Sequence, residues 1–234
     1  MLARVLDWVF QAGCAGCDAP VAPGMAMCPG CALSLYEIEA ACPRCGEPIE
    51  GPVDVTCSRC LRAPLPLERM TAPYRFGGQL AVALRRLKLG KRGEVARALG
   101  PLLGPALADA ATDCDAIVPV PLHRRRLAAR GFNQAQLLAR FAARDLPIAV
   151  AANALARTRR TPPQRGLGAR ARATNVAGAF TVPARQRSRV AGARILLVDD
   201  VITTGATMSA AARALSAAGA AAVVGFAAAR ADAG

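Results

Sequence analysis

The chain has 234 residues, and a hydrophobic content of 53% excludes a wholly disordered polypeptide. Thirty lysines and arginines against sixteen acids give a net charge of +14, an excess that points to an anionic partner. No uninterrupted apolar run reaches the ~20 residues of a spanning helix, so an α-helical membrane protein is excluded.

Leu2, Val5, Leu6, Trp8, Val9 and Phe10 form a short apolar stripe interrupted by Asp7 and Gln11. The interruption predicts an amphipathic helix rather than a secretory or lipoprotein leader. The expected compartment is therefore the reducing cytoplasm, where disulfides are rare and metal is the default explanation for paired cysteines.

Four C-x-x-C pairs follow: Cys14/Cys17, Cys28/Cys31, Cys42/Cys45 and Cys57/Cys60. A two-residue spacer turns both thiolates of a pair towards one ion, so eight ligands predict two structural Zn²⁺ sites. An iron–sulfur cluster or a redox dithiol is the alternative chemistry, but a redox motif is one such pair at a helix start. The gaps of 10, 10 and 11 residues do not separate sequential from interleaved pairing; sequential pairing closes the shorter loops. Cys114 has no partner in sequence and reads as a small core residue. Residues 1–63 thus form a small Cys-rich zinc-binding domain, and residues 61–72, with Pro64 and Pro66 and with Pro73 just beyond, read as a linker.

The second domain, residues 64–234, begins with helices over about 78–90 and 93–110 and a short strand, Ala116 to Val120. A helix carrying Ala135, Leu138, Ala139 and Ala142 comes next. After an irregular Arg-rich stretch, Ile195 to Val198 reads as a buried strand, residues 205–218 as a helix and 221–228 as a last strand. Strands alternating with helices predict an α/β fold with a mostly parallel sheet, whose ligands bind beyond the carboxyl ends of the strands.

Charge is concentrated in one place. Residues 121–190 hold fifteen arginines, no lysine and a single acid, Asp145, so the whole excess lies there. A GC-rich genome using Arg for solubility would explain the missing lysines but not the missing acids, since solvated surfaces carry both signs. His123, the sole histidine, reads either as a neutral phosphate donor or as a plain surface residue.

The most informative segment is Val198-Asp199-Asp200-Val201-Ile202-Thr203-Thr204-Gly205-Ala206-Thr207. A buried strand delivers two carboxylates to its end, and a Thr/Gly turn then opens a helix whose N–H groups suit a phosphate. Carboxylates accept hydrogen bonds, so the acid pair suits vicinal sugar hydroxyls or a hydrated Mg²⁺. Together they describe a ribose 5-phosphate site. An acidic strand end with a Thr N-cap is the plainer alternative, but it leaves the T-T-G-x-T run unexplained. Neither a P-loop nor a G-x-G-x-x-G motif is present.

This segment resembles the phosphoribosyl pyrophosphate motif of the ComF family of phosphoribosyltransferase-like proteins. The resemblance extends to the cysteine pairs, Tyr74 to Gly90 with Leu87-Lys88-Leu89-Gly90, and Val118-Pro119-Val120-Pro121. It also takes in Arg130-Gly131-Phe132-Asn133-Gln134-Ala135, and Gln164, Leu167, Arg172 and Asn175 before Gly178-Ala179-Phe180. It implies a type I phosphoribosyltransferase-like parallel sheet flanked by helices, behind a double zinc ribbon. It further implies that Asp199 and Asp200 hold the ribose hydroxyls, with Val201 beside them, and that Thr203, Thr204, Gly205, Ala206 and Thr207 hold the 5-phosphate. The loop 121–130, with Arg124 and Arg130, would face pyrophosphate. Residues 157–175, with Gln164, Arg172 and Asn175, would be a mobile loop over the site, Arg172 acting catalytically. The implied reaction displaces pyrophosphate from an anomeric carbon with Mg²⁺ and arginines neutralising the leaving group. The acceptor is not implied. A single-stranded-DNA-binding component working with DNA-uptake proteins, or a sensor that binds phosphoribosyl pyrophosphate without turnover, are the other functions such a chain could serve.

Overall fold

The computed structural model describes residues 13–50, 55–161 and 169–231. The expected helix over residues 2–10 and Gln164 lie outside them. In chain order the elements are α1 (Pro29–Ala32), α2 (Ser58–Arg62), β1 (Arg69–Thr71), β2 (Tyr74–Arg75), α3 (Gly78–Leu89), α4 (Glu94–Ala111), β3 (Ala116–Pro119), α5 (Arg124–Arg130), α6 (Gln134–Ala142), β4 (Ala149–Val150), β5 (Ala156–Arg157), α7 (Ala169–Val176), β6 (Phe180–Thr181), α8 (Arg187–Val190), β7 (Arg194–Ile202), α9 (Ala206–Ala217) and β8 (Ala222–Arg230).

The main sheet runs β1-β8-β7-β3-β4 with every pairing parallel, and β2 pairs β8 beyond the end of β1. The nine-residue strands β7 and β8 form its centre, and their near-continuous apolar sequence follows from burial on both faces. Side chains alternate between two cores with the period of two that a strand dictates. Leu196, Val198, Val224 and Phe226 join α3, α4 and α6 on one face. Ile195, Leu197, Val223 and Ala227 join α9 on the other. The predicted parallel α/β architecture is the one observed.

Three local expectations are corrected. The stretch taken as a linker contains β1, whose Met70 is fully buried and paired to Gly225 of β8. Residues 121–130, expected as a loop, include α5, which Gly131 ends in the left-handed conformation at φ 90°. The irregular Arg-rich stretch contains an antiparallel pair, β5 with β6, and the helices α7 and α8.

The cysteine unit closes the β1/β2 edge of the sheet. Met70 N–H donates to Arg44 O (2.9 Å), Arg75 N–H to Tyr36 O (2.7 Å) and Ile38 N–H to Pro73 O (2.9 Å), so backbone groups that an edge leaves open are satisfied by the ribbon. Its two halves reach opposite faces: Cys14 and Cys31 pack in the core with Leu80 and Leu84, whereas Cys42, Cys45 and Cys60 pack with Leu67 and Met70. No helix among the described residues is long and apolar enough to cross a membrane.

Candidate metal centres and anion site

The eight paired cysteines form two four-thiolate zinc-binding sites, Cys14/Cys17/Cys28/Cys31 and Cys42/Cys45/Cys57/Cys60, with the sulfurs of each within 4.8 Å of one another. The grouping is sequential, as loop length favoured. Four sulfurs at about 2.3 Å from one ion define a tetrahedron with edges of about 3.8 Å. Cys17 and Cys28 Sγ are 3.7 Å apart, and Cys45 and Cys57 Sγ 3.6 Å.

The two sites are built on one plan. Cys28 and Cys57 N-cap α1 and α2, and each donates its backbone N–H at 3.3 Å to the first sulfur of its site, Cys14 or Cys42. Asp18 and Gly46 follow the first pairs at φ 66° and 65° and donate to Cys14 O and Cys42 O, both at 2.9 Å. Burial raises Cys14 and Cys42, yet surrounding backbone N–H groups outweigh it and bring both thiols down to about 6. Burial and then the neighbouring thiols push Cys31 and Cys60 well up. Such a set sheds its remaining protons only when a cation takes their place.

Polar contacts latch the ribbons to the sheet domain. Arg86 of α3 donates to Ala15 O (3.1 Å) and pairs with the Asp18 carboxylate, which Arg92 also holds at 2.7 Å. Arg230, fully buried at the end of β8, donates Nε–H to Glu47 Oε2 at 3.1 Å, and Arg59 meets the same oxygen at 3.4 Å.

The second centre lies at the carboxyl end of β7. Asp199 and Asp200 sit just before the strand ends at Ile202, with the half-buried Val201 between them and that end. Asp200 is 4% exposed, and its Oδ2 accepts from Lys88 Nζ at 2.9 Å. Burial alone would raise Asp200, but the Lys88 ammonium, and Arg130 more weakly, hold it below the usual carboxylate range. Burial and then the Asp200 charge push Asp199 well above that range. Asp199 also accepts the Asp200 N–H at 2.8 Å. The pair therefore divides its roles: Asp200 is a charged acceptor and Asp199 is the carboxyl that keeps a proton more readily.

Thr203, Thr204 and Gly205 turn the chain from β7 into α9. Gly205 caps the helix at φ 76°, and Thr204 Oγ1 accepts the Ala206 N–H at 3.4 Å. Ala206 and Thr207 begin the first turn of α9, whose N–H groups and dipole face the space beyond the strand. A Cβ at Gly205 would lie 2.7 Å from Met70 Cε, so Met70 fills the space under the turn. Gly205→Val is expected to abolish phosphate-ligand binding and to destabilise the fold by about 1–3 kcal/mol. The positive φ is the main cause, because the flexible Met70 terminus can yield. Calorimetric titration and thermal denaturation check the two effects.

Cations gather around this end. Arg130, at the end of α5, approaches Asp200, and burial lowers it from the usual guanidinium range; its Nη1 bonds Gln134 Oε1. Asn133 caps α6 and donates Nδ2–H to Val120 O at 3.0 Å, fixing the chain just after Arg130. Arg157 lies over the Phe180 ring at 5.3 Å, feels the Asp199 charge and bonds Thr161 Oγ1. Arg126 donates to Thr161 O at 2.8 Å, which ties α5 to the 157–161 segment. His123 N-caps α5, its Nδ1 accepting Arg125 N–H at 3.3 Å, and burial and four arginines lower its pKa.

Of the residues expected at the site, the structure brings together Asp199, Asp200, Val201, the 203–207 turn and Arg130. Arg124 is exposed at the start of α5. Asn175 lies on α7, where its carbonyl accepts Arg159 Nη2 at 2.9 Å. Arg172 lies on the same helix. Sequence reasoning missed Lys88. The chain holds only two lysines among its thirty cations, Lys88 and Lys91, so the retention of Lys where Arg is the default was a usable signal.

Both parts of the chain are similar to known proteins. A phosphoribosyl transferase domain matches residues 128–233 and a double zinc ribbon domain matches residues 5–61. The DNA utilization protein YhgH of Escherichia coli K12 is 36% identical over 213 residues, covering 88% of this chain and 92% of that protein. Competence protein F of Haemophilus influenzae is 32% identical, covering 78% and 81%. Competence protein ComFC of Bacillus subtilis is 29% identical, covering 82% and 79%.

Proposed function

This chain belongs to the ComF family of phosphoribosyltransferase-like proteins with an N-terminal double zinc ribbon, and from that membership we propose that it binds phosphoribosyl pyrophosphate with Mg²⁺ and transfers the phosphoribosyl group to an acceptor in the cytoplasm. The observation that carries the reading is the meeting of the Asp199/Asp200 pair with the Thr203–Thr207 turn at one strand end.

Each part has a task in such a reaction. The ionised Asp200 accepts from a ribose hydroxyl, and the more basic Asp199 can donate as well as accept. The N–H groups opening α9 hold the 5-phosphate, which fixes the sugar at both ends. Charge that grows on the leaving pyrophosphate falls to Arg130 and Arg157. Bound Mg²⁺ would add cationic charge to the pyrophosphate, with the acid pair as the hard oxygen donors suited to its hydration shell.

A second reading has its own support. Arg124, Arg125, Arg159 and Arg160 are exposed, and the relatives are named for DNA utilization and competence. On this reading the arginines bind single-stranded DNA alongside DNA-uptake proteins. The aromatic platforms that hold stacked bases are sparse, at 4% of residues. One experiment separates the two: pyrophosphate release from phosphoribosyl pyrophosphate, assayed beside DNA affinity over a salt series. The transferase reading expects release in the presence of an acceptor, and weak DNA binding whose log K falls by roughly 0.7 per phosphate contact against log salt. Tight DNA binding at physiological salt with no turnover and no ligand uptake would replace it. Saturable uptake without turnover would leave a sensor.

A further inference from the structure

Lys88 stands at the end of α3, 112 positions before the acid it meets, in a chain where 28 of 30 cations are arginine. Its ammonium carries three donors, and Asp200 Oδ2 takes one of them at 2.9 Å. The Asp200 side chain is 5% exposed whereas that of Lys88 is 44% exposed, so the cation is the partner that faces outward. In a ribose held by its 2- and 3-hydroxyls the anomeric substituent is bonded to the neighbouring carbon. A cation on the diol-holding carboxylate, with two donors left over, can therefore reach that substituent.

We propose that Lys88 is a substrate-contacting residue that bridges Asp200 and the anomeric pyrophosphate, so that it selects ligands carrying an anionic group at C1 over ribose 5-phosphate itself. This rests on the phosphoribosyl reading of the site. It also accounts for the retained lysine. An Arg fork presents parallel donors in one plane and would close bidentately on Asp200, leaving fewer donors directed at a phosphate, whereas the ammonium spreads its donors in a tetrahedron.

The test uses the full zinc-loaded chain with Mg²⁺, titrating phosphoribosyl pyrophosphate and, separately, ribose 5-phosphate into wild type, Lys88→Met and Lys88→Arg. Lys88→Arg, which leaves a cation on Asp200, is expected to lose at least about tenfold in affinity for phosphoribosyl pyrophosphate while ribose 5-phosphate changes by less than about twofold; Lys88→Met, which also strips Asp200 of its counter-charge, is expected to weaken both ligands, phosphoribosyl pyrophosphate by at least about tenfold more than ribose 5-phosphate. Lys88→Arg keeps the ion pair and hence the fold, which circular dichroism and zinc content verify. Equal losses for the two ligands would make Lys88 only the counter-ion of Asp200 and overturn the inference. So would Lys88→Arg binding phosphoribosyl pyrophosphate as wild type does. Wild-type protein that takes up neither ligand would overturn the phosphoribosyl reading itself, whereas uptake of both by wild type with unchanged variants rejects the role of Lys88 alone.

Discussion

Replacing Asp199 and Asp200 together by asparagine is expected to reduce affinity for phosphoribosyl pyrophosphate by about 10²- to 10⁴-fold while the protein stays folded. On the proposed reading Asp200 offers a charge-assisted hydrogen bond to one ribose hydroxyl, worth about 1.5–3 kcal/mol, Asp199 makes a second bond to the neighbouring hydroxyl, and the two losses combine. Asparagine keeps an oxygen in place but adds N–H donors where the sugar presents its own. Folding is spared for two reasons. The substitution removes two adjacent carboxyl groups, one buried and one half-buried, that oppose each other, as the raised pKa of Asp199 reflects. The cation it abandons, Lys88, has 44% of its side chain exposed and can turn to water. Isothermal titration with Mg²⁺ present reads the affinity, and thermal denaturation reads the fold. Unchanged affinity would remove the acid pair from the site.

Loss of the second zinc site is expected to reach the 203–207 turn. Cys42→Ser or Cys45→Ser should lower the zinc content from two ions per chain to one, because a structural site supplies about 10–16 kcal/mol of binding energy that also folds its loop. The path onward is short. Gly46, in the left-handed region, lies against β1, where a Cβ would meet Met70 O at 2.7 Å. Met70 N–H donates to Arg44 O within the knuckle, and the far end of Met70 fills the space under Gly205. Unseating the knuckle leaves β1 held by β8 alone and loosens that support. We expect a lower melting temperature and at least about a tenfold loss of ribose 5-phosphate affinity, measured by differential scanning calorimetry and titration. Variants that keep two zinc ions, or lose one and bind ribose 5-phosphate as before, would break this link.

How much of this was legible beforehand depended on range. The two four-thiolate sites were readable because C-x-x-C is a local constraint, and the 203–207 turn because Gly205 must adopt a conformation that disfavours side chains. Strand β7 was readable as far as Val198; the two acids concealed its last residues, whose pairing with Ala227 to Arg230 is tertiary. β1 was hidden among prolines because a three-residue strand has no measurable period, and its hydrogen bonds come from β8 and the ribbon rather than from its own sequence. α5 was hidden because H-R-R-R-L-A-A-R buries none of its residues and has no apolar stripe to detect. Lys88 lay in the Leu87-Lys88-Leu89-Gly90 match and was one of only two lysines, but its ion pair spans 112 positions, so no local pattern tied it to Asp200.

The most direct measurement is a crystal structure of the chain with phosphoribosyl pyrophosphate and Mg²⁺. The 5-phosphate is expected on the N–H groups of the 203–207 turn, the ribose hydroxyls within hydrogen-bond reach of Asp199 and Asp200, and the pyrophosphate directed towards Lys88 and Arg130. Ligand seated elsewhere, or none bound at saturating concentration, would contradict it.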